Sequence, residues 1–301
     1  MRNRSRRSRA VVVVVSTALL GVAGCDAGGG ASPAPDGTRA KATKPSATPT
    51  PAWDSSPASI AAVGDSITRG FDACSVLADC PEVSWATGTA TEVRSLAVRL
   101  LGASGVAAHS WNHAVSGSRM ADLPAQMTKA AAHKPALVTV MTGANDACRT
   151  SVSAMTAVTD FRDSFTRALR TLRKASPRSQ VYVASVPDLK RLWSQGRGNE
   201  LGKAVWKLGI CPSMLADPDA VDAAATARRD EVRERVEAYN SVLRSVCATD
   251  RLCRFDGGAV FDFDFGTRQL SPWDWFHPSR DGQARLAEMA YRGVTGGKAV
   301  T

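Results

Sequence analysis

The chain has little histidine and no pair of cysteines in a Cys-x-x-Cys arrangement, and both facts argue against a structural metal site. Only four of its 301 residues are His. None of its seven cysteines belongs to a Cys-x-x-Cys arrangement, which structural zinc sites commonly use. The sequence therefore implies neither a metal ion nor another cofactor.

The chain also lacks a block of Lys and Arg interleaved with aromatic residues, although its formal net charge is +10. Five of the positive charges lie within the first nine residues, at Arg2, Arg4, Arg6, Arg7 and Arg9. Without those five, 33 Lys and Arg face 28 Asp and Glu, which leaves a charge of +5. Such a weak and dispersed charge does not predict nucleic-acid binding.

The apolar stretch over residues 11–22 is too short to span a bilayer, which takes about 20 apolar residues. It follows the Arg-rich start and is typical of an export signal. Small residues then precede a lone cysteine in Leu19–Cys25 (LLGVAGC), which resembles the bacterial lipobox. We expect a lipoprotein-type signal peptide over residues 1–25 with lipidation at Cys25. The alternative is an ordinary signal peptide cleaved nearby, and a weak twin-Arg pattern at residues 5–7 leaves the export route open.

The region after the signal divides into a tether and a domain. Residues 26–57 are largely Gly, Ala, Ser, Thr and Pro, a composition that cannot bury a core and is typical of a disordered tether. Residues 58–295 have the length of one α/β domain. We expect a monomer that is either secreted or held by Cys25 at the extracellular face of the cell membrane.

Six cysteines remain when Cys25 is set aside, and an even number in an exported protein favours disulfides. Six cysteines allow 15 connectivities. Two pairs are close in sequence, and the third pair then has only one possible partner. This favours Cys74–Cys80, Cys148–Cys211 and Cys247–Cys253. Buried free thiols are the alternative.

From Ser59 onward, short apolar runs alternate with longer amphipathic ones. The pattern predicts strands over 59–63, 106–111, 136–141, 181–186 and 252–256. It predicts helices over about 93–101, 120–133, 153–175, 220–247 and 280–292, and a less regular insert over 192–219. Such alternation favours an α/β fold, a flavodoxin-like three-layer α/β/α sandwich with a parallel sheet of about five strands. Reactive residues should then lie beyond the carboxyl ends of the strands.

Four short motifs lie after the first three predicted strands and before the last helix. They are Gly64–Thr68 (GDSIT), Ser116–Ser118 (SGS), Gly143–Asp146 (GAND) and Asp274–His277 (DWFH). Gly-Asp-Ser alone is common. In this order and combination, however, the motifs resemble the four blocks of the SGNH hydrolases, also called GDSL esterases and lipases. The resemblance covers about residues 59–292.

The motifs supply the parts of a serine hydrolase. A Ser hydroxyl is a poor nucleophile unless an adjacent base takes its proton. Ser66 would be the nucleophile and His277 the base, and Asp274 would orient the imidazole. The resemblance implies an oxyanion hole made of the backbone N–H groups of Ser66 and Gly117 and the side-chain amide of Asn145. The short Asp–His spacing and the lack of a Gly-x-Ser-x-Gly motif distinguish this plan from that of the α/β-hydrolases.

Each of these residues also has a purely structural explanation. Ser66 or Asp274 could cap a helix, Asn145 could sit in a turn, and His277 could be a surface residue. Four such coincidences at one sheet edge are less plausible than one shared site. A second set of residues, the aromatic ones near the Asp–His motif and in the insert, could form an apolar pocket lip or simply cover the core: Trp193, Trp206, Trp273, Trp275 and Phe276.

The resemblance and the motifs together favour a serine esterase or lipase that hydrolyses carboxylic esters, with a small-molecule or lipid ester as substrate. The closest alternative is a carbohydrate esterase that acts on an acetylated glycan. A third possibility, a catalytically silent binding module on the cell surface, is disfavoured because every catalytic position is filled. Since Cys148 lies three residues after Asn145, a disulfide to Cys211 would tie the Asn145 loop to the insert.

Overall fold

The computed structural model describes residues 52–296, and the predicted signal peptide, Cys25 and tether residues 26–51 lie outside that range. The described chain forms five strands, β1 (Ile60–Gly64), β2 (Ser110–Asn112), β3 (Leu137–Met141), β4 (Gln180–Val183) and β5 (Cys253–Phe255). Its α-helices are α1 (Leu96–His109), α2 (Leu123–Ala132), α3 (Ala144–Ala147), α4 (Val158–Ala175), α5 (Leu189–Gly196), α6 (Glu200–Trp206), α7 (Pro212–Leu215), α8 (Ala223–Cys247) and α9 (Arg280–Thr295). Among residues 52–296, no helix combines the length and the apolar character that a bilayer span requires.

The strands form one parallel sheet in the order β2-β1-β3-β4-β5. This confirms the predicted α/β class, and the order is that of flavodoxin-like folds. Every residue of β1 and β3 is buried, as expected for central strands covered on both faces. The strand order reverses between β1 and β3, so the carboxyl ends of these two strands border the crevice where such folds bind ligands.

Two groups of helices pack on the sheet. Helix α4 lies between α2 and α8, and α1 packs against α9. The buried residues of α4 recur at helical spacing, at Phe161, Phe165, Ala168, Leu169 and Leu172. Burying a side chain the size of Phe contributes about 1.5–3 kcal/mol, so this apolar stripe fixes the helix to the core.

The predicted strand over residues 106–111 is wrong for its first four residues. Helix α1 continues to His109, and β2 begins only at Ser110. Gly102 does break the helical backbone, with a φ of 72°, but helical turns resume after it. The short apolar run that starts at Val106 fits a helix as well as a strand, which periodicity alone cannot separate.

The last residues before the predicted domain contact it. Trp53 Nε1 donates to the backbone oxygen of Val294 at 2.9 Å, and the Asp54 amide donates to Gln180 Oε1 at 3.2 Å. The Arg254 guanidinium lies 4.1 Å from the centre of a Trp53 ring. The chain therefore packs on the sheet and α9 five residues before the expected domain start at residue 58.

Three disulfides link the six cysteines in sequence order, which confirms the favoured pairing. Cys74–Cys80 and Cys247–Cys253 each close a short loop of sequence separation 6. Cys148–Cys211 spans 63 residues and joins the end of α3 to the start of α7. The insert after β4, predicted to be less regular, consists of the helices α5 to α7.

Candidate active site

The turn after β1 presents Ser66 at the crevice. Gly64, the last residue of the strand, has a φ of 149°, and a Cβ there would lie 2.1 Å from the backbone oxygen of Met141. Only glycine fits this position. The chain then forms a tight turn, in which the amides of Arg69 and Phe71 both donate to the backbone oxygen of Ser66.

Ser66, His277 and Asp274 form a continuous hydrogen-bonded chain, as the motifs predict. Ser66 Oγ lies 3.0 Å from His277 Nε2, and His277 Nδ1 lies 2.5 Å from Asp274 Oδ2. The other Asp274 oxygen, Oδ1, accepts the backbone N–H groups of Phe276 and His277 at 3.0 and 2.9 Å. The loop that carries His277 therefore also fixes the carboxylate that orients it.

The electrostatics of the pair favour a basic imidazole. Burial acts to raise the pKa of Asp274, but the adjacent His277 outweighs it and holds that pKa below its usual value. Burial acts to lower the pKa of His277, but the Asp274 carboxylate, aided by Asp72 and Asp65, raises it. With Nδ1–H donated to the carboxylate, the Nε2 lone pair faces Ser66 Oγ and can accept its proton.

The three residues expected to supply the oxyanion donors, Ser66, Gly117 and Asn145, line one cavity. Within residues 52–296, neither the Ser66 amide nor the Gly117 amide donates a hydrogen bond to protein. Gly117 has a φ of 80°, and a Cβ there would meet no atom within 4 Å, so the space beside this amide is open. Asn145 Nδ2 donates to the Ser118 oxygen at 3.0 Å, which leaves its second N–H for a ligand.

A buried glutamine that the sequence analysis missed connects two of these loops. Gln126, on α2, accepts from the Gly64 amide at 2.8 Å and donates to the Gly64 oxygen at 3.0 Å. It also donates to Ser118 Oγ at 3.0 Å. The backbone oxygen of the same serine accepts from Asn145 Nδ2. The available signal was a polar residue inside the apolar stripe of α2, flanked by Leu123 and Met127.

Two further buried carboxyl groups lie in the catalytic motifs themselves. Asp65 Oδ1 accepts from the Ile67 amide at 3.0 Å, while its Oδ2 has no partner within residues 52–296. Burial raises the pKa of Asp65 to about 7. Asp146 Oδ2 accepts from the Met120 amide at 2.8 Å, and burial raises its pKa as well. Both residues organise the loops around Ser66 and Asn145.

A cavity of about 220 Å³ opens beside Ser66 and His277. The Cys148–Cys211 disulfide forms part of its wall, and no Asp, Glu, Lys or Arg of the described chain lines it. Most of the remaining lining is apolar: Ile67, Phe71, Leu189, Leu192, Ile210 and Phe276. The site therefore offers a small apolar compartment next to a polar centre.

Of the five aromatic residues considered for the pocket lip, only Phe276 lines the cavity. Trp206 is buried, and its Nε1 donates to the Asp274 backbone oxygen at 2.6 Å. Trp193 is buried with the Arg229 guanidinium 4.0 Å from its ring centre, and Trp273 is exposed. Covering the core is thus the correct explanation for Trp193 and Trp206.

Two groups of side chains in the described chain are close enough to share a metal ion, and neither is free to do so in this state. In the first, Cys74 and Cys80 with Glu82, both thiols are already joined as a disulfide. In the second, Asp72 with Asp274 and His277, the last two are hydrogen-bonded to each other.

A flavodoxin-like sheet with a hydrogen-bonded Ser, His and Asp at the carboxyl ends of its strands defines a class of hydrolases that act through a serine. Residues 60–290 match the family model of the GDSL-like lipases/acylhydrolases. The chain belongs to that family, as its motifs predict.

Solved structures with a similar fold include enzymes of more than one kind. The extracellular lipase from Streptomyces rimosus is 17% identical, with 79% of this chain and 99% of that chain covered and a TM-score of 0.44. Phospholipase A1 from Streptomyces albidoflavus has the same identity and coverage and a TM-score of 0.42. A family 3 carbohydrate esterase from Clostridium thermocellum is 15% identical, with 78% and 93% covered and a TM-score of 0.46. Comparison with curated protein sequences gave no significant match.

Proposed function

We propose that the protein is a serine esterase that hydrolyses carboxylic esters at Ser66. The observation that carries this proposal is the hydrogen-bonded chain from Ser66 through His277 to Asp274, which opens onto a cavity lined by unused donors. A serine next to a base, with the base oriented by a carboxylate, is the arrangement that activates a hydroxyl for acyl transfer.

In the proposed reaction, Ser66 Oγ attacks the ester carbonyl carbon while His277 Nε2 takes the hydroxyl proton. The resulting oxyanion is held by the amides of Ser66 and Gly117 and by Asn145, whose donors stabilise charge that develops in the transition state. The C–O bond to the alcohol then breaks, and His277 returns the proton to the leaving oxygen. Water repeats the sequence on the acyl-enzyme and releases the carboxylic acid. Asp274 stabilises the imidazolium in both halves.

The cavity supports a neutral acyl group as the part of the substrate that is bound. Its wall carries no charged side chain other than that of His277, so an anionic group would lose its hydration without a partner. Its volume of about 220 Å³ lies below the roughly 300 Å³ at which sites for drug-sized ligands begin. We therefore propose short to medium acyl chains as the preferred substrates.

Hydrolysis of p-nitrophenyl esters from acetyl to palmitoyl tests this proposal. We expect a maximum at short to medium chains, and S66A should lose about 10⁴-fold or more in kcat because it removes the nucleophile. Ser151, an exposed serine, provides the matched control S151A, which should behave as the native protein. Activity on acetyl esters alone would favour the carbohydrate esterase, and inactivity on every ester would favour the binding module.

We also propose, from the sequence, that the protein is exported and anchored through a lipid at Cys25. The supporting features are the Arg-rich start, the apolar stretch over residues 11–22 and the lipobox-like Leu19–Cys25. The tether that follows would hold the domain away from the membrane surface. Mass spectrometry of the mature N-terminus tests the proposal, since a lipidated Cys25 would be the first residue.

A further inference from the structure

Another acidic residue, Asp72, lies next to the Asp274–His277 pair. It follows Phe71, whose ring centre is 5.0 Å from that of His277, and it is fully buried. Its backbone has a left-handed φ of 58°, and its backbone oxygen accepts from Ser271 Oγ at 2.7 Å. Segments from opposite ends of the domain therefore hold Asp72 in place.

The Asp72 carboxyl is in the immediate surroundings of the catalytic pair. Its oxygen, one of Asp274 and a ring nitrogen of His277 all lie within 4.8 Å of one another. Asp72 Oδ1 accepts from the Leu77 amide, but Oδ2 is buried and has no partner in the described chain. Two ionised carboxylates this close repel each other, and an unpaired buried oxygen is costly. A proton on Asp72 Oδ2, donated to Asp274, would relieve both.

We propose that Asp72 is a positioning residue for the Asp274–His277 pair. When protonated, it donates a hydrogen bond to Asp274, and when ionised, it adds a second negative charge beside His277. Asp72 does not touch the substrate, and it acts on Ser66 only through the histidine. The inference rests on the proposed esterase function for its kinetic consequence, although the effect on His277 itself does not depend on any substrate.

Asp72 changes its protonation state within a pH range that kinetic and NMR measurements can cover. Burial, followed by the repulsion from Asp274, raises the pKa of Asp72 to about 6. The charged groups that face His277 are Asp274, Asp72 and Asp65, and all three raise its pKa. Asp65 in turn faces Asp146. Removing the Asp72 charge should therefore make His277 lose its proton at a lower pH, without removing the two other carboxylates.

The substitution D72N separates the charge from the hydrogen bonds. Asparagine can still accept from the Leu77 amide and can donate permanently to Asp274. We expect kcat at pH 8 within about threefold of the native value and an acid limb of kcat/KM that moves to lower pH. The ratio of kcat/KM at pH 6 to that at pH 8 should rise about twofold or more. D264N, at an exposed carboxylate, is the matched control and should leave the profile unchanged.

D72A removes the hydrogen bonds as well, and we expect kcat to fall about tenfold or more because Asp274 loses a partner. Should D72A not fold, D72N decides alone. NMR titration of His277, assigned by comparison with H277Q, gives a readout that needs no substrate and should show a lower midpoint in D72N. An unchanged midpoint or an unchanged acid limb in D72N would overturn the proposal. Failure of the native protein to hydrolyse any ester would refute the esterase function, while the titration would still test Asp72.

Discussion

At the scale of single residues, the site depends on polar side chains that hydrogen bonds to the backbone hold in place. Asp274 is fixed by two backbone amides of its own loop, and Asn145 is anchored to the Ser118 oxygen through one of its two N–H groups. Groups held in this way change little when the substrate arrives, which is the condition under which an oxyanion donor is most effective. Removing such a donor should therefore change the rate of the reaction more than the stability of the fold.

Replacing Asn145 with alanine should lower kcat roughly 100-fold or more, because one oxyanion donor is typically worth about 3–4 kcal/mol in the transition state. The folded state loses only the hydrogen bond to Ser118, so the melting temperature should change little. Steady-state kinetics and thermal unfolding of the same preparation check both parts. N199A, which removes a helix cap in the insert, serves as the control and should keep native kcat. Native turnover in N145A would rule out the role of Asn145.

Asp65 should make the protein less stable as the pH rises. Its pKa of about 7 in the folded protein lies above the ordinary value of 3.8, so the folded state holds this proton more tightly than the unfolded chain does. The stability from Asp65 is fully present below about pH 4 and is lost progressively as the pH rises to about 7, by a total on the order of 4 kcal/mol.

Chemical denaturation of D65N at pH 4 and pH 8 measures this contribution, because the variant can still accept from the Ile67 amide and carries no charge. The unfolding free energy of D65N minus that of the native protein should be larger at pH 8 than at pH 4. A difference in unfolding free energy that does not vary with pH would contradict the shift. D264N, at an exposed carboxylate, should show no such variation.

At the scale of secondary-structure elements, the sequence predicted what depends on neighbours along the chain. The uninterrupted apolar runs of β1 and β3 and the helical spacing in α4 were sufficient to predict those elements. The boundary between α1 and β2 was not predictable, because Gly102 interrupts a helix that then continues. The roles of Gln126 and Asp72 could not be predicted for a different reason, which is that their partners are distant in sequence. Gly64, the partner of Gln126, is 62 residues away, and Asp72 meets the Asp274 loop across 199 residues.

The Cys148–Cys211 disulfide should affect activity more than its stability contribution alone would suggest. Closing a loop of 63 residues is worth about 4 kcal/mol in the chain-entropy model. In addition, Ser213 donates to the Arg149 and Ala147 oxygens, so the insert and the Asn145 helix α3 are joined at several points. We expect the double variant C148S/C211S to lose both stability and kcat.

The matched control is C247S/C253S, which opens a loop of separation 6 whose cysteines do not line the cavity. It should lose about 2 kcal/mol and keep native kcat at a temperature where it is folded. Denaturation and kinetics on both double variants make the comparison. Equal kcat values for the two would show that the longer disulfide does not position Asn145.

At the scale of the whole molecule, the sheet order assembles the site. The alternation of strands and helices was enough to predict a parallel sheet and the edge at which Ser66 and Asn145 lie. The reversal of strand order between β1 and β3 then brings Ser66 and Asn145 to the same crevice. The cavity beside Ser66, by contrast, was not predictable, because the insert supplies part of its wall through α5 and residues 209–211, and the packing of the insert depends on contacts distant in sequence.

The proposed anchor leads to an expectation for the chain expressed with residues 1–57 present. In a bacterium that processes lipoproteins, esterase activity should fractionate with the membrane. The variant C25S should release it to the soluble fraction, because stable attachment requires the lipid. Fractionation followed by ester hydrolysis and immunoblotting measures both. Finding C25S in the membrane fraction at the native level would contradict lipidation at Cys25.

The Cys148–Cys211 disulfide in the cavity wall also links the assembly of the site to the compartment in which the chain folds. Thiols stay reduced in the cytosol and are oxidised after export. Until Cys148 and Cys211 are joined, no covalent bond links the two parts of the chain that meet in this wall of the cavity. Under the proposed export, a newly made chain would therefore leave the cytosol before this wall is cross-linked. Oxidation outside the cytosol would then be the last covalent step in the assembly of the site.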